Sequence, residues 1–322
     1  MPKNILFYAQ GTGLGHLQRC TQLMQSLELT AENIFLLSSS AHSQTIASIY
    51  QLNYLQVPIY LENNIENKQN YLATYQQWLV TQIETYQIDE IYIDVFPAGL
   101  YGEWNHIEIL LENSRQKPIF YWINRRLQWK NYVKLLDMPP FFAKSFILED
   151  LEDEHFAFVQ QHSQEISQNF PKLHYTYPIA TEIPTEIVHL WQNNTPYWLL
   201  IHAEPYEELL VLLAYTVDKY QISNSNAKII ILSTINTQKI YNYLQSFCNN
   251  IRISIKTFQI LPTFTIPIFL LEKAEKICTA CGFNSMQQTE KYANKHFFIP
   301  FERRFDDQFW RASQRNKLFT NN

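Results

Sequence analysis

Short apolar blocks alternate with longer amphipathic segments along this chain. In the first half the blocks are NILFYAQ, NIFLLSS, IYIDVF and PIFYWIN. Blocks of this length, rich in β-branched and aromatic residues, are typical of buried parallel strands. The segments between them predict helices: HLQRCTQLMQSL, residues 70–86 and WNHIEILLENS. Strands that alternate with helices form βαβ units, so the sequence predicts an α/β fold with a doubly wound parallel sheet.

The alternation restarts at PYWLLIH and continues to the C-terminus. Further strands are predicted at AKIIILST, IRISIKTF, EKICTA and KHFFIPF, and helices at YEELLVLLAYTVDKY, NTQKIYNYLQSF, NSMQQTEKYA and the tail from Asp306. Two successive α/β units predict two domains, and the Pro-bearing polar segment near Tyr177 to Glu186 is the best linker candidate. We therefore expect a first domain over 1–178, a second over 187–305 and a C-terminal helix over 306–322.

Composition limits the classes of protein to which the chain can belong. A length of 322 residues with 46% hydrophobic residues suffices for two domains with real cores, and a net charge of −5 argues against nucleic acid or an anionic membrane as a partner. No apolar run is long enough for a signal peptide or a membrane span, so a cytoplasmic location is expected. Cys278 and Cys281 lack a second pair, while Cys20 and Cys248 are isolated, so no metal site is expected.

Glycine is concentrated where the first predicted strand meets the first predicted helix. The chain has six glycines, and Gly11, Gly13 and Gly15 lie within YAQGTGLGHLQRC. Glycine lets a ligand approach the backbone, and a helix N-terminus suits an anion. The spacing differs from the dinucleotide fingerprint and from a P-loop. His16 falls in the first helical turn, where the helix dipole favours a neutral imidazole that can accept a proton. The alternative is a tight turn that His16 merely caps.

A second glycine pair follows the predicted strand IYID. Gly99 and Gly102 flank this turn, so five of the six glycines lie in two strand-end loops of the first domain. Ligands of open α/β sheets bind at such strand ends, which predicts a close-fitting ligand there. Asp94 and Glu103 therefore compete with His16 for the role of catalytic base. Alternatively, Asp94 is a satisfied carboxylate that holds the FPAG turn.

Two segments resemble a known enzyme class. GTGLGHLQRC resembles the N-terminal loop of GT-B glycosyltransferases, the class that includes the bacterial lipid-linked muramoyl-pentapeptide N-acetylglucosaminyltransferase. CGFNSMQQTEKYANKHFFIPFERRFDDQFWRA resembles the donor-nucleotide motif of that class. IDVFPAGLYGEW and WLLIHAEPYEELL resemble segments of a branch of predicted glycosyltransferases with D-x-F-P-x-G and an H-S-G-P-like turn. The resemblance implies two Rossmann-like domains facing a cleft, with the C-terminal helix crossing between them.

The resemblance also implies roles for individual residues. Gly282, Asn284 and Ser285 would begin a helix beneath the donor diphosphate, and Gln288 falls where the class has a ribose-facing acid. Asp307 and Gln308 take the place of a pair that contacts the donor sugar. The diphosphate then lies mainly on the second domain, while the first loop and Gly99 face the acceptor and the reacting end of the donor.

Further polar residues near the predicted strand ends have two interpretations each. His202 would touch donor phosphate or is a plain turn residue. Arg304, with Arg303, would reach phosphate or pair with the acids that follow it. Arg125 and Arg126 would line an anionic acceptor site or lie in a solvated loop.

The function predicted is glycosyl transfer from a nucleotide sugar, with UDP as the expected nucleotide, to a glycan, lipid-linked sugar, peptide or small metabolite. The reaction is expected to be inverting and metal-independent, with the nucleotide sugar as co-substrate and no cofactor. Two alternatives stay open. GLGHLQRC also resembles the G-x-G-H-x-x-R-C loop of the UDP-sugar hydrolase of pseudaminic acid synthesis. A non-catalytic nucleotide-sugar-binding protein would fit Gln288 and Glu204, which depart from the class pattern.

Overall fold

The structure is a computed structural model that describes residues 2–11, 13–57, 68–168, 195–223, 226–251, 253–262 and 268–320. The chain divides into two compact units. The first comprises Met1–His174 and Arg304–Asp307, and the second comprises Tyr175–Arg303 and Gln308–Asn322. The linker predicted near Tyr177 to Glu186 lies outside the described residues, and the predicted domain limits stay predictions.

The first unit contains a seven-stranded sheet in which all neighbouring strands are parallel. The strand order is β3-β2-β1-β4-β5-β6-β7. The strands are β1 (Ile5–Tyr8), β2 (Ile34–Ser38), β3 (Asn53–Gln56), β4 (Glu90–Asp94), β5 (Ile119–Asn124), β6 (Phe142–Ile147) and β7 (Ser163–Ser167). Because β2 and β4 flank β1 on opposite sides, the winding direction reverses between β1 and β4. Loops at such a reversal leave a crevice beyond the carboxyl ends of the strands.

The helices of the first unit connect these strands. They are α1 (Leu14–Ser26), α2 (Ser43–Ile49), α3 (Lys68–Thr85), α4 (Ile107–Leu110), α5 (Trp129–Tyr132) and α6 (Asp153–His162). The helix predicted over WNHIEILLENS is reduced to the single turn of α4. His106 is left-handed, with φ 60°, immediately before this turn, and a left-handed residue interrupts a right-handed helix.

The second unit contains a five-stranded parallel sheet in the order β10-β9-β8-β11-β12. Its strands are β8 (Tyr197–Ile201), β9 (Lys228–Ser233), β10 (Phe258–Pro262), β11 (Lys276–Ala280) and β12 (His296–Ile299). Its helices are α7 (Tyr206–Ile222), α8 (Thr237–Ile251), α9 (Ile268–Lys273), α10 (Phe283–Gln288) and α11 (Gln308–Thr320). Within the described ranges, no helix combines the length and apolar character needed to span a bilayer.

Two predicted elements of this half were wrong in position. The strand predicted at IRISIKTF is replaced by a 3-10 turn over Ile255–Thr257, which Ser254 caps by accepting the Lys256 N–H, and β10 begins at Phe258. The C-terminal helix begins at Gln308 and not at Asp306, because Asp306 forms an antiparallel bridge with Leu127.

Three histidines are buried and are held neutral: His155, His202 and His296. Burial, followed by the nearby Arg126 and Arg125, lowers the pKa of His155 to about 3. Burial lowers the pKa of His296 to about 3 and that of His202 to about 4. In the unfolded chain these rings bind protons below about pH 6.5, whereas in the folded chain they do not. On acidification the unfolded state therefore takes up protons at a higher pH than the folded state. The free energy of unfolding decreases as the pH is lowered.

We expect the free energy of unfolding to fall between pH 7 and pH 5, by about 2 kcal/mol for each of these rings. Denaturant titrations at the two pH values measure the change. The control is His155→Phe, which retains an aromatic ring against Trp129, on which His155 stacks at 4.1 Å. In this variant the decrease in the free energy of unfolding between the two pH values should be smaller by the contribution of one ring. Equal stability at both pH values in the wild type would contradict the expectation.

Candidate functional site

A buried ion pair and a histidine meet at the switch point of the first sheet. Asp94 is the last residue of β4, and His16 and Arg19 lie one turn apart on α1. Arg19 donates from Nε to Asp94 Oδ1 and from Nη2 to Oδ2, both at 2.7 Å. His16 Nδ1 lies 2.6 Å from Asp94 Oδ2. Asp94 has no exposed surface and Arg19 only 2%, so this bidentate pair is shielded from water.

The charges of this cluster determine the ionisation of each group. Burial alone would raise the pKa of Asp94, but Arg19 and His16 outweigh it and lower the pKa to about 2. Burial lowers the pKa of His16, Asp94 opposes this effect, and Arg19 and Arg125 add to it. The imidazole is therefore neutral near pH 7, as the sequence predicted, although burial and not the helix dipole is the main cause.

The position of the imidazole proton follows from this ionisation. An ionised carboxylate only accepts hydrogen bonds, so the 2.6 Å contact requires the proton of His16 on Nδ1. The neutral ring then carries its lone pair on Nε2. The His16 side chain retains 14% exposure, so it is not sealed in the core as Asp94 is. A histidine oriented through Nδ1 by a buried aspartate is the arrangement that accepts a proton at Nε2 in general-base catalysis.

Gly11 lies directly against the reactive edge of this imidazole. A Cβ placed on Gly11 would lie 2.5 Å from His16 Cδ2 and 2.9 Å from Nε2, closer than any side chain permits. Gly13, two positions later, has nothing within 4 Å of the equivalent atom. The first glycine of the loop is therefore required by the position of His16, whereas the second is not required by any described protein contact.

Gly11→Ala is expected to lower turnover by about 10- to 100-fold, because the new methyl group displaces the imidazole from its hydrogen bond with Asp94. Gly13→Ala is the matched control, since it adds the same methyl group in the same loop without a clash. Steady-state kinetics of both variants measures the effect. Equal activity of Gly11→Ala and the wild type would show that the imidazole need not hold this position.

Glu103 is the carboxylate that holds the turn after β4. It accepts hydrogen bonds from the Tyr8 hydroxyl, from Leu100 N–H at 3.2 Å and from Tyr101 N–H at 2.7 Å. Gly99 adopts φ +85°, and a Cβ there would lie 2.3 Å from Glu103 Cδ. From the sequence, this turn-holding role was one of the two expected for Asp94. The catalytic role predicted for Glu103 stays a prediction, and burial raises its pKa.

The residue after Asp94 has an unusual backbone. Val95 is left-handed, with φ 66°, which is unfavourable for a β-branched residue. Val95 N–H donates to the Ile123 carbonyl at 2.9 Å, and its carbonyl accepts from Trp122 Nε1 at 3.0 Å. Residues held in such conformations cluster at functional sites. No sequence signal pointed to Val95, because valine is the ordinary residue of a buried strand.

In the second unit, the predicted donor residues lie on and around α10. Gly282 is the N-cap of this helix, Asn284 is buried, and Ser285 and Gln288 are half-buried. Arg315 of α11 supports the other end of α10 by donating to the Met286 carbonyl at 2.5 Å. The structure therefore brings these four predicted residues together at the carboxyl end of β11. Their roles toward a donor stay predictions.

His202 follows β8 and lies in a polar cluster. Its Nε2 is 3.2 Å from the Pro205 carbonyl, so the neutral ring donates there. Arg303 pairs with both carboxylate oxygens of Glu208, whose Oε2 lies 3.5 Å from His202 Nε2. This cluster lies at the start of α7, and the predicted contact of His202 with phosphate stays a prediction.

The remaining predicted donor residues have protein partners. The Arg304 guanidinium lies 4.7 Å from the centre of the Phe305 ring. Asp307 accepts from Arg126 Nε at 3.0 Å. Gln308 is 3% exposed, and its Oε1 accepts from Phe301 N–H at 3.0 Å. These contacts tie the three side chains to the protein itself, and their predicted roles toward the donor stay predictions.

Comparison with solved structures identifies the fold. No protein-family model matches the chain, and no curated protein sequence matches it. The structure of MnaA of S. aureus with UDP matches with a TM-score of 0.56 and 9% identity, over 97% of this chain and 87% of that one. UDP-GlcNAc 2-epimerase of Methanocaldococcus jannaschii matches with a TM-score of 0.56 and 10% identity, over 97% and 92%. A glycosyltransferase of Rickettsia africae matches with a TM-score of 0.53 and 11% identity, over 99% and 88%.

These matches extend over nearly the whole of each chain, which is the signature of a shared fold. Together with the two parallel sheets of seven and five strands, they show the GT-B architecture of two Rossmann-like units that the sequence predicted. Structural matches at identities of 9% to 11% show a shared fold and do not show a shared activity.

Proposed function

We propose that the protein transfers a sugar from a nucleotide sugar to an acceptor hydroxyl, with His16 as the general base. The observation that carries this proposal is the His16–Asp94–Arg19 cluster at the switch point, whose ionisation leaves the lone pair on His16 Nε2. The shared fold supports it, since the matched structures include a glycosyltransferase and a protein solved with UDP. The two motifs that resemble the muramoyl-pentapeptide N-acetylglucosaminyltransferase class favour transfer over other reactions.

The proposed step balances with groups of this chain. His16 Nε2 takes the proton of the acceptor hydroxyl, and the oxygen bonds to the anomeric carbon from the face opposite the leaving group. The bond from that carbon to the diphosphate oxygen breaks, which gives inversion and a nucleoside diphosphate. Asp94 stabilises the imidazolium that forms, in the way that a buried aspartate supports the histidine of a catalytic triad. We propose that Gly282, Asn284 and Ser285 hold the diphosphate through hydrogen bonds, without a metal ion or cofactor.

A second candidate function is epimerisation of a UDP-sugar. One of the matched structures favours it, because it is named a UDP-GlcNAc 2-epimerase. A base such as His16 would then remove a proton from the sugar and not from an acceptor. The products distinguish these reactions, since an epimerase changes the sugar without an acceptor. Free sugar from the donor alone would indicate a hydrolase.

Ligand binding to the native state raises the melting temperature, so a thermal-shift series with UDP, GDP, dTDP and CMP sugars tests the proposal. We expect UDP-sugars at millimolar concentration to raise the melting temperature by a few degrees, in the wild type and in His16→Ala alike. Gly282→Ala is the matched variant, because a Cβ there meets nothing within 4 Å and the fold should be retained. It should lose the shift if a diphosphate contacts this N-cap. No shift with any of these ligands would overturn the proposal.

A further inference from the structure

The segment Arg304–Asp307 attaches to the first unit beside the loop that follows β5. Asp306 forms an antiparallel bridge with Leu127, and Gln128 N–H donates to the Phe305 carbonyl at 2.9 Å. The Gln128 side chain donates to the Asp306 carbonyl at 3.2 Å. Successive backbone groups of the segment are therefore fixed, which places the Phe305 side chain in a defined direction.

Two ion pairs hold the same segment. Arg125 pairs with Asp306, and Arg126 Nε lies 3.0 Å from Asp307 Oδ2. The exposed fractions of these four side chains lie between 8% and 18%. Ion pairs shielded to this degree are screened less by salt than exposed pairs are. The attachment therefore has both a backbone and an electrostatic component.

Phe305 packs onto the aromatic side chains that support the turn after β4. Its ring makes edge contacts with Phe96 and with Tyr132, each at 5.6 Å between ring centres. The Tyr132 hydroxyl accepts from Ala98 N–H at 3.0 Å and donates to the Gly99 carbonyl at 2.9 Å. Phe305 therefore packs against Phe96 of this turn and against Tyr132, which holds the turn by hydrogen bonds.

Phe96 in turn contacts His16. The two ring centres lie 5.6 Å apart, with the planes tilted by 31°. Gly11 lies against the Cδ2–Nε2 edge of the same imidazole. The ring is thus bounded by Gly11 and by Phe96 while Asp94 holds Nδ1. A shift of Phe96 would free one side of the imidazole and admit water to it.

We propose that Phe305 is a positioning residue for His16, acting through Phe96, so that a segment late in the chain fixes the orientation of the base. The expected effect on kcat rests on the proposed function, whereas the expected effect on the orientation of the His16 imidazole does not. Phe305 itself does not touch the reacting atoms. Truncation of its ring opens space behind Phe96, which then relaxes away from the imidazole, because aromatic packing of this kind holds a side chain by contact alone.

The test compares Phe305→Ala with Phe305→Leu and with the control Phe158→Ala. Phe158 is also half-buried against the first core, where its ring lies 5.1 Å from that of Trp129. The ¹⁵N signals of the His16 imidazole, assigned by their absence from His16→Ala, report its tautomer and its titration. The charged groups around His16 are Asp94, Arg19 and Arg125, and all three are unchanged in these variants.

In Phe305→Ala we expect a mixture of Nδ1–H and Nε2–H tautomers and a pKa of His16 closer to its ordinary value. We expect kcat to fall by about 10- to 100-fold with KM for the donor unchanged. Phe305→Leu should recover most of the wild-type imidazole signals and most of the wild-type kcat. Phe158→Ala should leave the imidazole signals as in the wild type. Wild-type imidazole signals in Phe305→Ala, or the same change in Phe158→Ala, would overturn the inference. The imidazole signals need no substrate, so this outcome is independent of whether glycosyl transfer is the reaction.

Discussion

His16→Ala is expected to lower kcat by about 10³-fold or more, because it removes the group that takes the acceptor proton. The fold should be retained, since the Asp94–Arg19 pair remains and the lost side chain is partly exposed. Nucleotide binding should change little, because the proposed diphosphate site lies on α10. Rapid-quench or steady-state kinetics, together with nucleotide titration, measures both quantities. A kcat within tenfold of the wild type would remove His16 from the chemistry.

The same base predicts the pH dependence of the wild type. Activity requires the neutral imidazole, and burial lowers the pKa of His16 below its ordinary value of 6.5. The ratio kcat/KM should therefore fall as the pH decreases, and it should reach half of its plateau value at a pH below 6.5. A half-maximal value above pH 6.5 would show that a different group titrates or that His16 is more exposed than the structure indicates.

Asp94→Asn is expected to have a larger effect on rate, about 10⁴-fold in kcat, by reversing the tautomer of His16. With its –NH₂ group toward Nδ1, the asparagine amide would donate and not accept, so the imidazole proton would move to Nε2, which could then no longer take a proton. The change also removes the carboxylate with which the buried Arg19 forms a bidentate ion pair. Loss of one partner of a buried ion pair costs about 3 to 5 kcal/mol of unfolding free energy.

Activity and stability must be separated in this variant. Kinetics should be measured at a temperature where circular dichroism shows the variant to be folded. Asp89→Asn is the matched control, because Asp89 precedes the amino end of β4, whereas Asp94 lies at its carboxyl end, and Asp89 accepts from Asn4 N–H at 2.9 Å. It should retain wild-type turnover. Folded Asp94→Asn protein with wild-type kcat would contradict the orientation of His16 that the structure shows.

The sequence predicted the fold well where strands are buried on both faces. Blocks such as ILFY in β1 and IIIL within β9 are continuous apolar runs because helices cover both sides of them. Strand β6 and the edge strand β7 escaped prediction because FAKSFI and SQEIS carry polar residues. Ser145 and Ser163 in these strands bond to each other at 2.7 Å in the interior, and no local pattern reveals such a pair.

The sequence indicated which residues of the candidate site lie near one another better than it indicated their contacts. Glycine clustering indicated the strand ends that carry His16 and Asp94, because close packing around a side chain or ligand selects for glycine. The sequence could not assign separate roles to the two carboxylates, because their partners lie far away along the chain. Asp94 contacts His16, 78 positions away, and Glu103 contacts Tyr8, 95 positions away. The pairing of Arg125 with Asp306, across 181 positions, was equally invisible to local reasoning.

The proposed chemistry is tested most directly by measuring the release of UDP from UDP-sugars. The wild type and His16→Ala are compared side by side, with a panel of hydroxyl acceptors. We expect release by the wild type to increase with an acceptor and to yield a glycoside of inverted anomeric configuration. In His16→Ala the same release should be lower by about 10³-fold. Equal release by the two proteins, or no release by the wild type from any nucleotide sugar, would contradict a His16-dependent glycosyl transfer.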